Sequence, residues 1–173
     1  MSVMVETSLG SFVIDLFIKD CPLACENFLK LCKLKYYNGH LFFNVINDFM
    51  LQSGDPTGTG KGGASYFKKP FKDEIMLHRT FHKKGLVASS NMDNKNNSQF
   101  FITTGDQEAC CFLNGKHTIF GEIEEGMEIV EEMNVAYVDG NGRPFTDLRI
   151  LHSTCIFPFL TCILCIFPFY LHV

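Results

Sequence analysis

The sequence predicts a mainly β fold, an all-β barrel accompanied by two helices. Short segments in which apolar and polar residues alternate recur along the chain, as expected for strands with one buried face. Only two segments repeat apolar residues at helical spacing. Strands and helices do not alternate in βαβ order, which disfavours a nucleotide-binding parallel sheet.

The chain begins with a predicted β-hairpin and a helix. Val3, Val5 and Thr7 alternate with polar neighbours, and the segment 12–18 does the same after a Leu-Gly-Ser turn. A helix then extends to about Lys35, because apolar residues recur at helical spacing and a proline is tolerated in the first turn. We expect Asp20 to cap this helix.

The middle of the chain is predicted as two strands, 40–46 and 48–53, that lead into a loop rich in glycine. Gly54, Gly58 and Gly60 give this loop the freedom that the exposed lip of a binding pocket needs. The remaining predicted elements are a long loop at 67–84, strands at 85–89 and 99–104 around a polar loop at 91–97, a strand at 118–123, a helix at 124–133, a turn at 139–144 and a closing strand at 148–154.

Composition narrows the class of protein. The 173 residues suit one domain, and 46% hydrophobic with 20% charged residues indicates a globular chain. A net charge of −4 gives no electrostatic case for binding nucleic acid or an anionic membrane. The eight cysteines lack the arrangement of a disulfide framework, so we expect free thiols and an intracellular location, in the nucleus or cytoplasm.

Three motifs occur in order along the chain, namely Asp-Phe-Met-Leu-Gln-Ser-Gly-Asp-Pro-Thr-Gly-Thr-Gly at 48–60, Asn-Ser-Gln-Phe-Phe-Ile-Thr at 97–103 and Phe-Leu-Asn-Gly-Lys-His-Thr-Ile-Phe-Gly at 112–121. Together they resemble the cyclophilin family of peptidyl-prolyl cis-trans isomerases over about residues 3–154. The resemblance implies an eight-stranded antiparallel barrel closed by two α-helices. It is strongest to the cyclophilin-like branch whose members continue into an RNA-recognition domain. No base-stacking motif is present here, so we expect no direct nucleic-acid binding.

The resemblance implies rotation about Xaa-Pro bonds of partner proteins. Amide resonance opposes this rotation with a barrier of roughly 18–20 kcal/mol, whereas cis and trans differ little in free energy. An enzyme therefore has to stabilise the twisted amide, with an apolar socket for the proline ring and donors for the carbonyl and the prolyl nitrogen. This chemistry requires no nucleophile, metal or cofactor.

The resemblance also assigns the site residues. The catalytic positions are Asn44, Phe49, Gln52 and His117, with Gln52 as the donor towards the substrate carbonyl. The substrate-binding positions are Met50, Gly60, Ser89, Ser90, Asn91, Gln99, Phe101, Phe112 and Leu113. Taken singly, the apolar members suit a core equally well and His117 suits a satisfied histidine. Their joint match to one family's pocket favours the functional interpretation.

The sequence departs from the family at the site itself. Asn44 stands where most active members have an arginine that reaches the prolyl nitrogen, and Phe112 stands where many have tryptophan. Loss of one such donor typically costs a factor of about 10²–10³ in rate. Ser-Ser-Asn-Met-Asp at 89–93 replaces small residues around an asparagine, and we expect Met92 to narrow the neighbouring pocket. The first hypothesis is an isomerase of reduced activity; the alternative is a catalytically weak proline-peptide-binding module in a nuclear RNA-processing complex.

The C-terminal segment 155–173 is apolar and contains Cys-Ile-Phe-Pro-Phe twice. It is about as long as a membrane span, but Pro158 and Pro168 would interrupt a helix. We therefore expect a folded domain at 1–154, with the tail outside it. A tail anchor is a third, weaker hypothesis. We expect the protein to be a monomer whose partners are proline-containing segments of other proteins.

Overall fold

A computed structural model describes residues 1–90 and 95–156. Eight strands form one antiparallel sheet in the spatial order β3-β4-β6-β5-β7-β2-β1-β8. They are β1 (Ser2–Thr7), β2 (Ser11–Leu16), β3 (Asn44–Ile46), β4 (Met50–Ser53), β5 (Leu86–Ser89), β6 (Phe100–Thr103), β7 (Ile119–Glu125) and β8 (Ile150–Ile156). The predicted mainly β class and the eight antiparallel strands are confirmed.

The two edges of the sheet meet and curl it into a barrel. Leu41, just before β3, forms an isolated antiparallel bridge with Arg149, just before β8. The Gly39 N–H donates to the Ile150 carbonyl over 2.7 Å, and the Phe42 N–H donates to the Leu148 carbonyl over 2.9 Å. The sequence predicted one strand over 40–46, but residues 40–42 pair across the seam instead, where an open edge would leave backbone groups unpaired. The Phe43 N–H donates to the Gln52 carbonyl of β4 over 3.1 Å.

Strand alternation separates an inner from an outer apolar cluster. Val45, Leu51 and Ile102 lie side by side on β3, β4 and β6 and point into the main core. Phe28 joins that core from the first helix, with ring centroids 5.2 Å from Tyr37 and 5.4 Å from Phe100. The neighbouring positions on the same strands point outwards, which places them at the candidate site.

The helices are α1 (Pro22–Lys33), α2 (Gln107–Cys110) and α3 (Met127–Asn134), and a 3₁₀ turn at Cys111–Leu113 follows α2. Both predicted helices are present as α1 and α3. The short α2 and the 3₁₀ turn were not predicted, because a single turn shows no periodicity. α3 begins later than predicted, because β7 continues through Glu125 and Gly126 adopts a φ of 80° before the helix starts.

The expected cap of α1 was wrong. The N-cap position is Cys21, which makes no side-chain cap, and Asp20 instead accepts a hydrogen bond from Arg79 Nε over 2.8 Å. Glu74 from the long loop supplies the cap. Its two carboxylate oxygens accept the N–H groups of Leu23, over 3.1 Å, and Ala24, over 2.9 Å. Sequence spacing cannot reveal a cap from a residue so distant in the chain.

We expect Glu74→Gln to lower the free energy of unfolding by about 1 kcal/mol, because an uncharged amide replaces the carboxylate that accepts two N–H groups at a helix start. Urea unfolding followed by circular dichroism measures this change. Glu26→Gln, an exposed substitution within the same helix, is the matched control and should leave stability within about 0.5 kcal/mol of the parent. Equal effects of the two substitutions would contradict the capping role.

The last strand includes Cys155 and Ile156, which pair with Val3 and Ser2 of β1. The rest of the predicted tail, residues 157–173, lies outside the described residues, as do Asn91 and Met92. Within residues 1–90 and 95–156, no helix is both long and apolar enough to cross a bilayer. The cysteines of these segments are free thiols, and Cys21, Cys25, Cys32 and Cys110 are buried.

Candidate active site

The candidate site is built on one row of residues that crosses the sheet. Asn44 of β3 pairs with Gln52 of β4, Gln52 pairs with Phe101 of β6, and Phe101 pairs with Ala88 of β5. Residues paired directly across strands share one face of a sheet, so this row lies on the outside of the barrel. The motifs that the sequence singled out thus bring amide side chains and an aromatic ring together.

A second apolar cluster underlies the row on the outer face. Phe101 and Leu113 are buried in this cluster, and Phe49 and Met50 pack against it. Phe112 is 55% exposed and stacks on Phe49, with ring centroids 5.6 Å apart and planes inclined by 21°. The arrangement is an apolar floor with an exposed aromatic edge, which suits a proline ring better than a charged group.

His117 lies at the end of the row. Its ring stands perpendicular to that of Phe101, with ring centroids 5.3 Å apart and planes inclined by 87°. Its Nδ1 lies 3.2 Å from the Ser89 carbonyl oxygen, which can only accept, so the neutral ring carries its proton on Nδ1 and leaves Nε2 as an acceptor. Burial lowers the pKa of His117, although the bond to Ser89 opposes that shift. The imidazole is therefore neutral near pH 7, by the ordinary histidine value of about 6.5.

A chain of amides forms the polar part of the site. The Nδ2 of Asn44 donates to Oε1 of Gln52 over 3.2 Å. The Nε2 of Gln52 donates to Oε1 of Gln99 over 3.0 Å and to the Ser90 hydroxyl over 2.9 Å. The Nε2 of Gln99 in turn donates to the carbonyls of Gly60 and Gly62, over 3.0 and 2.7 Å. These hydrogen bonds fix the orientation of the Gln52 side-chain amide, and they engage both hydrogens of its Nε2.

The glycine-rich loop is organised by Asp55. Its carboxylate accepts hydrogen bonds from the Thr57 N–H and hydroxyl and from the Gly62 N–H. Burial alone would raise the pKa of Asp55, but these hydrogen bonds outweigh it and lower the pKa. The folded loop presents the Gly60 and Gly62 carbonyls to Gln99, so Asp55 acts on the site through the loop backbone.

A polar cleft of about 530 Å³ opens beside Asn44 and Gln52. The glycine-rich loop lines one side of it through Gly58, Thr59 and Gly60. The far side is formed by Asp139, Asn141 and Arg143, which the sequence indicated only as a turn. No motif marks these three residues, and only the closure of the barrel brings their turn to β3.

The structure gathers the predicted site residues, with Asn91 outside the described part. Phe49, Met50, Phe101, Phe112, Leu113 and His117 surround the apolar floor, and Asn44, Gln52, Gly60, Ser90 and Gln99 form the hydrogen-bonded polar part. Ser89 is buried and contributes its carbonyl to His117. In residues 1–90 and 95–156, no three His, Cys, Asp or Glu side chains are placed to hold a metal ion.

We expect stability to fall as the pH drops below about 6.5, because burial lowers the pKa of His117 and of His40 in the folded state. Below that pH the unfolded chain binds more protons than the native one. The two neutral histidines therefore contribute their full share of the stability above about pH 6.5, and this share is lost as the pH falls and protons bind. Urea midpoints at about pH 7.5 and 5.5 measure it. The fall should shrink in His40→Gln/His117→Gln and persist in the exposed control His82→Gln; an undiminished fall in the double variant would contradict the assignment.

Comparison with known proteins places this geometry in a family context. Residues 2–155 match the family model described as cyclophilin type peptidyl-prolyl cis-trans isomerase. Peptidyl-prolyl cis-trans isomerase CYP59 of Arabidopsis thaliana is 50% identical over 88% of the chain, and peptidyl-prolyl cis-trans isomerase-like 4 of Homo sapiens is 46% identical over 90%. The chain spans only 31% and 33% of the length of these two relatives.

Relatives of similar length also exist. Peptidyl-prolyl cis-trans isomerase CYP18-2 of Arabidopsis thaliana is 40% identical over 89% of this chain and 93% of its own length. Among solved structures, a Cryptosporidium parvum cyclophilin type isomerase, crystallised in the presence of the dipeptide Ala-Pro, superposes with a TM-score of 0.87 at 34% identity. That superposition covers 91% of this chain and all of the other chain.

Proposed function

The chain belongs to the cyclophilin-type peptidyl-prolyl cis-trans isomerase family, and on that premise we propose that it accelerates rotation about Xaa-Pro bonds and so assists protein folding. The observation that carries the proposal is the row Asn44–Gln52–Phe101, which places amide donors directly beside an apolar floor. The Ala-Pro dipeptide present with the Cryptosporidium parvum structure supports a proline-containing substrate.

Catalysis would follow from differential binding of the twisted amide. The floor formed with Phe101 and Leu113 would hold the proline ring. Gln52 Nε2 would exchange its hydrogen bond to the Ser90 hydroxyl for one to the carbonyl side of the substrate bond. Rotation then moves one half of the peptide against a fixed ring. The neutral His117 would pack against the substrate at the rim, where its unprotonated Nε2 can accept a hydrogen bond.

Exchange NMR on a short Ala-Pro peptide tests the proposal. Substoichiometric protein should produce cis–trans exchange well above the uncatalysed rate, which corresponds to tens to hundreds of seconds at 25 °C. The same titration reports binding through chemical-shift changes of the peptide. Exchange at the uncatalysed rate would contradict the proposed isomerase activity, whether or not the peptide binds.

A second candidate, a proline-peptide-binding module with little catalysis, is favoured by one observation. Asn44 is a neutral amide engaged by Gln52, so this position presents no guanidinium to the substrate. Shift changes without accelerated exchange would identify this module. We place it in a nuclear RNA-processing assembly, and co-purification of splicing or transcription components with the tagged protein from nuclear extract tests that setting.

We also propose that the protein is intracellular, in the nucleus or cytoplasm, and that it acts as a monomer. The free thiols of the described residues support a reducing compartment, because cysteines of proteins in oxidising compartments commonly form disulfides. Cys21 and Cys25 donate through Sγ to the carbonyls of Ile119 and Phe120, over 3.3 and 3.4 Å. Localisation of a tagged protein and sedimentation at micromolar concentration test these two statements.

We expect Ser90→Ala to raise kcat/KM by roughly threefold to tenfold, because the Ser90 hydroxyl occupies an amide hydrogen of Gln52 that the substrate carbonyl needs, and one such bond contributes about 1 kcal/mol. Exchange NMR measures the change. Ser65→Ala, which removes a hydroxyl that accepts the Phe67 N–H and makes no bond to the amide chain, is the control and should leave the rate unchanged. A loss of activity in Ser90→Ala would mean that Ser90 orients Gln52 instead of competing for it.

A further inference from the structure

Arg143 and Asn44 line the same polar cleft. The backbone carries them close together, because the Val45 N–H donates to the Gly142 carbonyl over 2.7 Å. Gly142 has a φ of 79°, and a Cβ atom there would lie 2.5 Å from Oδ1 of Asn44. The turn that bears Arg143 is therefore packed directly against the position at which the family's arginine is missing.

The turn is internally fixed. Oδ1 of Asp139 accepts the N–H groups of Asn141, over 2.7 Å, and Arg143, over 3.0 Å. The Asp139 N–H also donates to the Arg143 carbonyl over 2.8 Å, and Val138 bridges to Pro144. The negative charge of Asp139 is thus bound to the turn's own backbone, and the base from which the Arg143 side chain projects is fixed.

The Arg143 side chain is available for a ligand. The other arginines of the chain are engaged, since Arg79 pairs with Asp20 at 2.7 Å and Arg149 pairs with Asp147 at 2.6 Å. Arg143 is exposed, and within residues 1–90 and 95–156 its guanidinium makes no hydrogen bond and no ion pair within 4 Å. Its charge acts at longer range on Asp139 of the same turn and helps to lower the pKa of that carboxyl. Arg143 is also the only Lys or Arg among the described residues that line the cleft.

We propose that Arg143 supplies to the bound Xaa-Pro amide the positive charge that position 44 lacks; this inference rests on the proposed isomerase function. When the amide twists, its resonance is lost and the lone pair localises on the prolyl nitrogen. A guanidinium N–H aimed at that lone pair stabilises the twisted state more than either planar state, and this difference is what lowers the barrier. The charge thus reaches the site from the turn before β8 instead of from β3.

A double-mutant cycle in exchange NMR tests the inference. Arg143→Gln should lower kcat/KM by about tenfold or more, mainly through kcat, because it removes a donor used in the transition state. Arg143→Lys keeps the charge and should retain part of the activity. Lys61→Gln removes one charge from the exposed loop beside the cleft and is the matched control. In an Asn44→Arg background, Arg143→Gln should cost less than about threefold, because the charge is already present.

Each outcome decides the inference. Arg143→Gln within about twofold of the parent, or an equal loss in both backgrounds, overturns it. If Asn44→Arg accelerates exchange while the parent chain does not, the scaffold is an isomerase but Arg143 supplies no useful charge, and the inference is again overturned. If neither protein accelerates exchange, the proposed function itself fails. The unfolding midpoints of all variants should coincide. Coinciding midpoints show that a loss of activity does not come from a loss of structure.

Discussion

We expect Gln52→Leu to lower kcat/KM for an Ala-Pro peptide by a factor of about 10², the effect typical of removing one donor aimed at a carbonyl. Gln52 accepts from Asn44 and donates to Gln99 and Ser90, so its loss removes the proposed substrate donor and the centre of the amide chain. Leucine preserves volume and leaves no new buried charge. Exchange NMR at matched peptide concentrations measures the change.

Gln107→Leu is the matched control, because Gln107 is exposed at the start of α2 and undergoes the same chemical change away from the amide chain. It should keep the parent's rate. The urea midpoints of both variants establish that the fold is intact. A folded Gln52→Leu protein with activity within about threefold of the parent would remove Gln52 from the proposed mechanism and leave catalysis to the apolar floor and Arg143.

The strands could be predicted from sequence because a half-buried strand leaves a local signature. Val3 and Val5 alternate with half-buried or exposed neighbours, and each proved to point into the barrel. The cap of α1 could not be predicted in this way. Asp20 had the right chemistry next to the helix, but Arg79 and His78 attract its carboxylate, and Glu74 reaches the helix start across the loop. A tertiary contact thus decided between two chemically suitable acids.

The same distinction between local sequence signals and tertiary contacts decides which site residues could be predicted. Gln52 and Phe101 lie within motifs, and their register across β4 and β6 follows from two strands that are next to each other in space. The hydrogen bond from Gln52 to Ser90, and the approach of Arg143 to Asn44, depend on how the barrel closes. Nothing in the local sequence around Arg143 distinguishes it from any polar turn. Sequence motifs therefore identify the site residues that a family shares. They miss residues outside the motifs that the fold of one chain brings into the same cleft.

The amide chain depends in turn on the close approach of two backbones next to β4. Gly54 adopts a φ of 92°, and a Cβ atom there would lie 2.2 Å from the Ser98 carbonyl oxygen and 2.8 Å from Cα of Gln99. The Ser98 hydroxyl donates to the Gly54 carbonyl over 2.7 Å, and Tyr37 donates to the Ser98 carbonyl over 3.1 Å. The backbone of 98–99 is thus held between Gly54 and the core, and it positions the Gln99 side chain.

We therefore expect Gly54→Ala to lower the free energy of unfolding by about 3–5 kcal/mol, the sum of left-handed backbone strain and a steric clash with fixed backbone. Gly39→Ala is the matched control, since Gly39 has a φ of 82° but no atom within 4 Å of an added Cβ, and strain alone should cost about 1–2 kcal/mol. Urea unfolding measures both variants, and equal losses would rule out the close approach as the cause. Because the clash displaces Gln99, any folded Gly54→Ala protein should also lose isomerase activity, whereas Gly39→Ala should keep it.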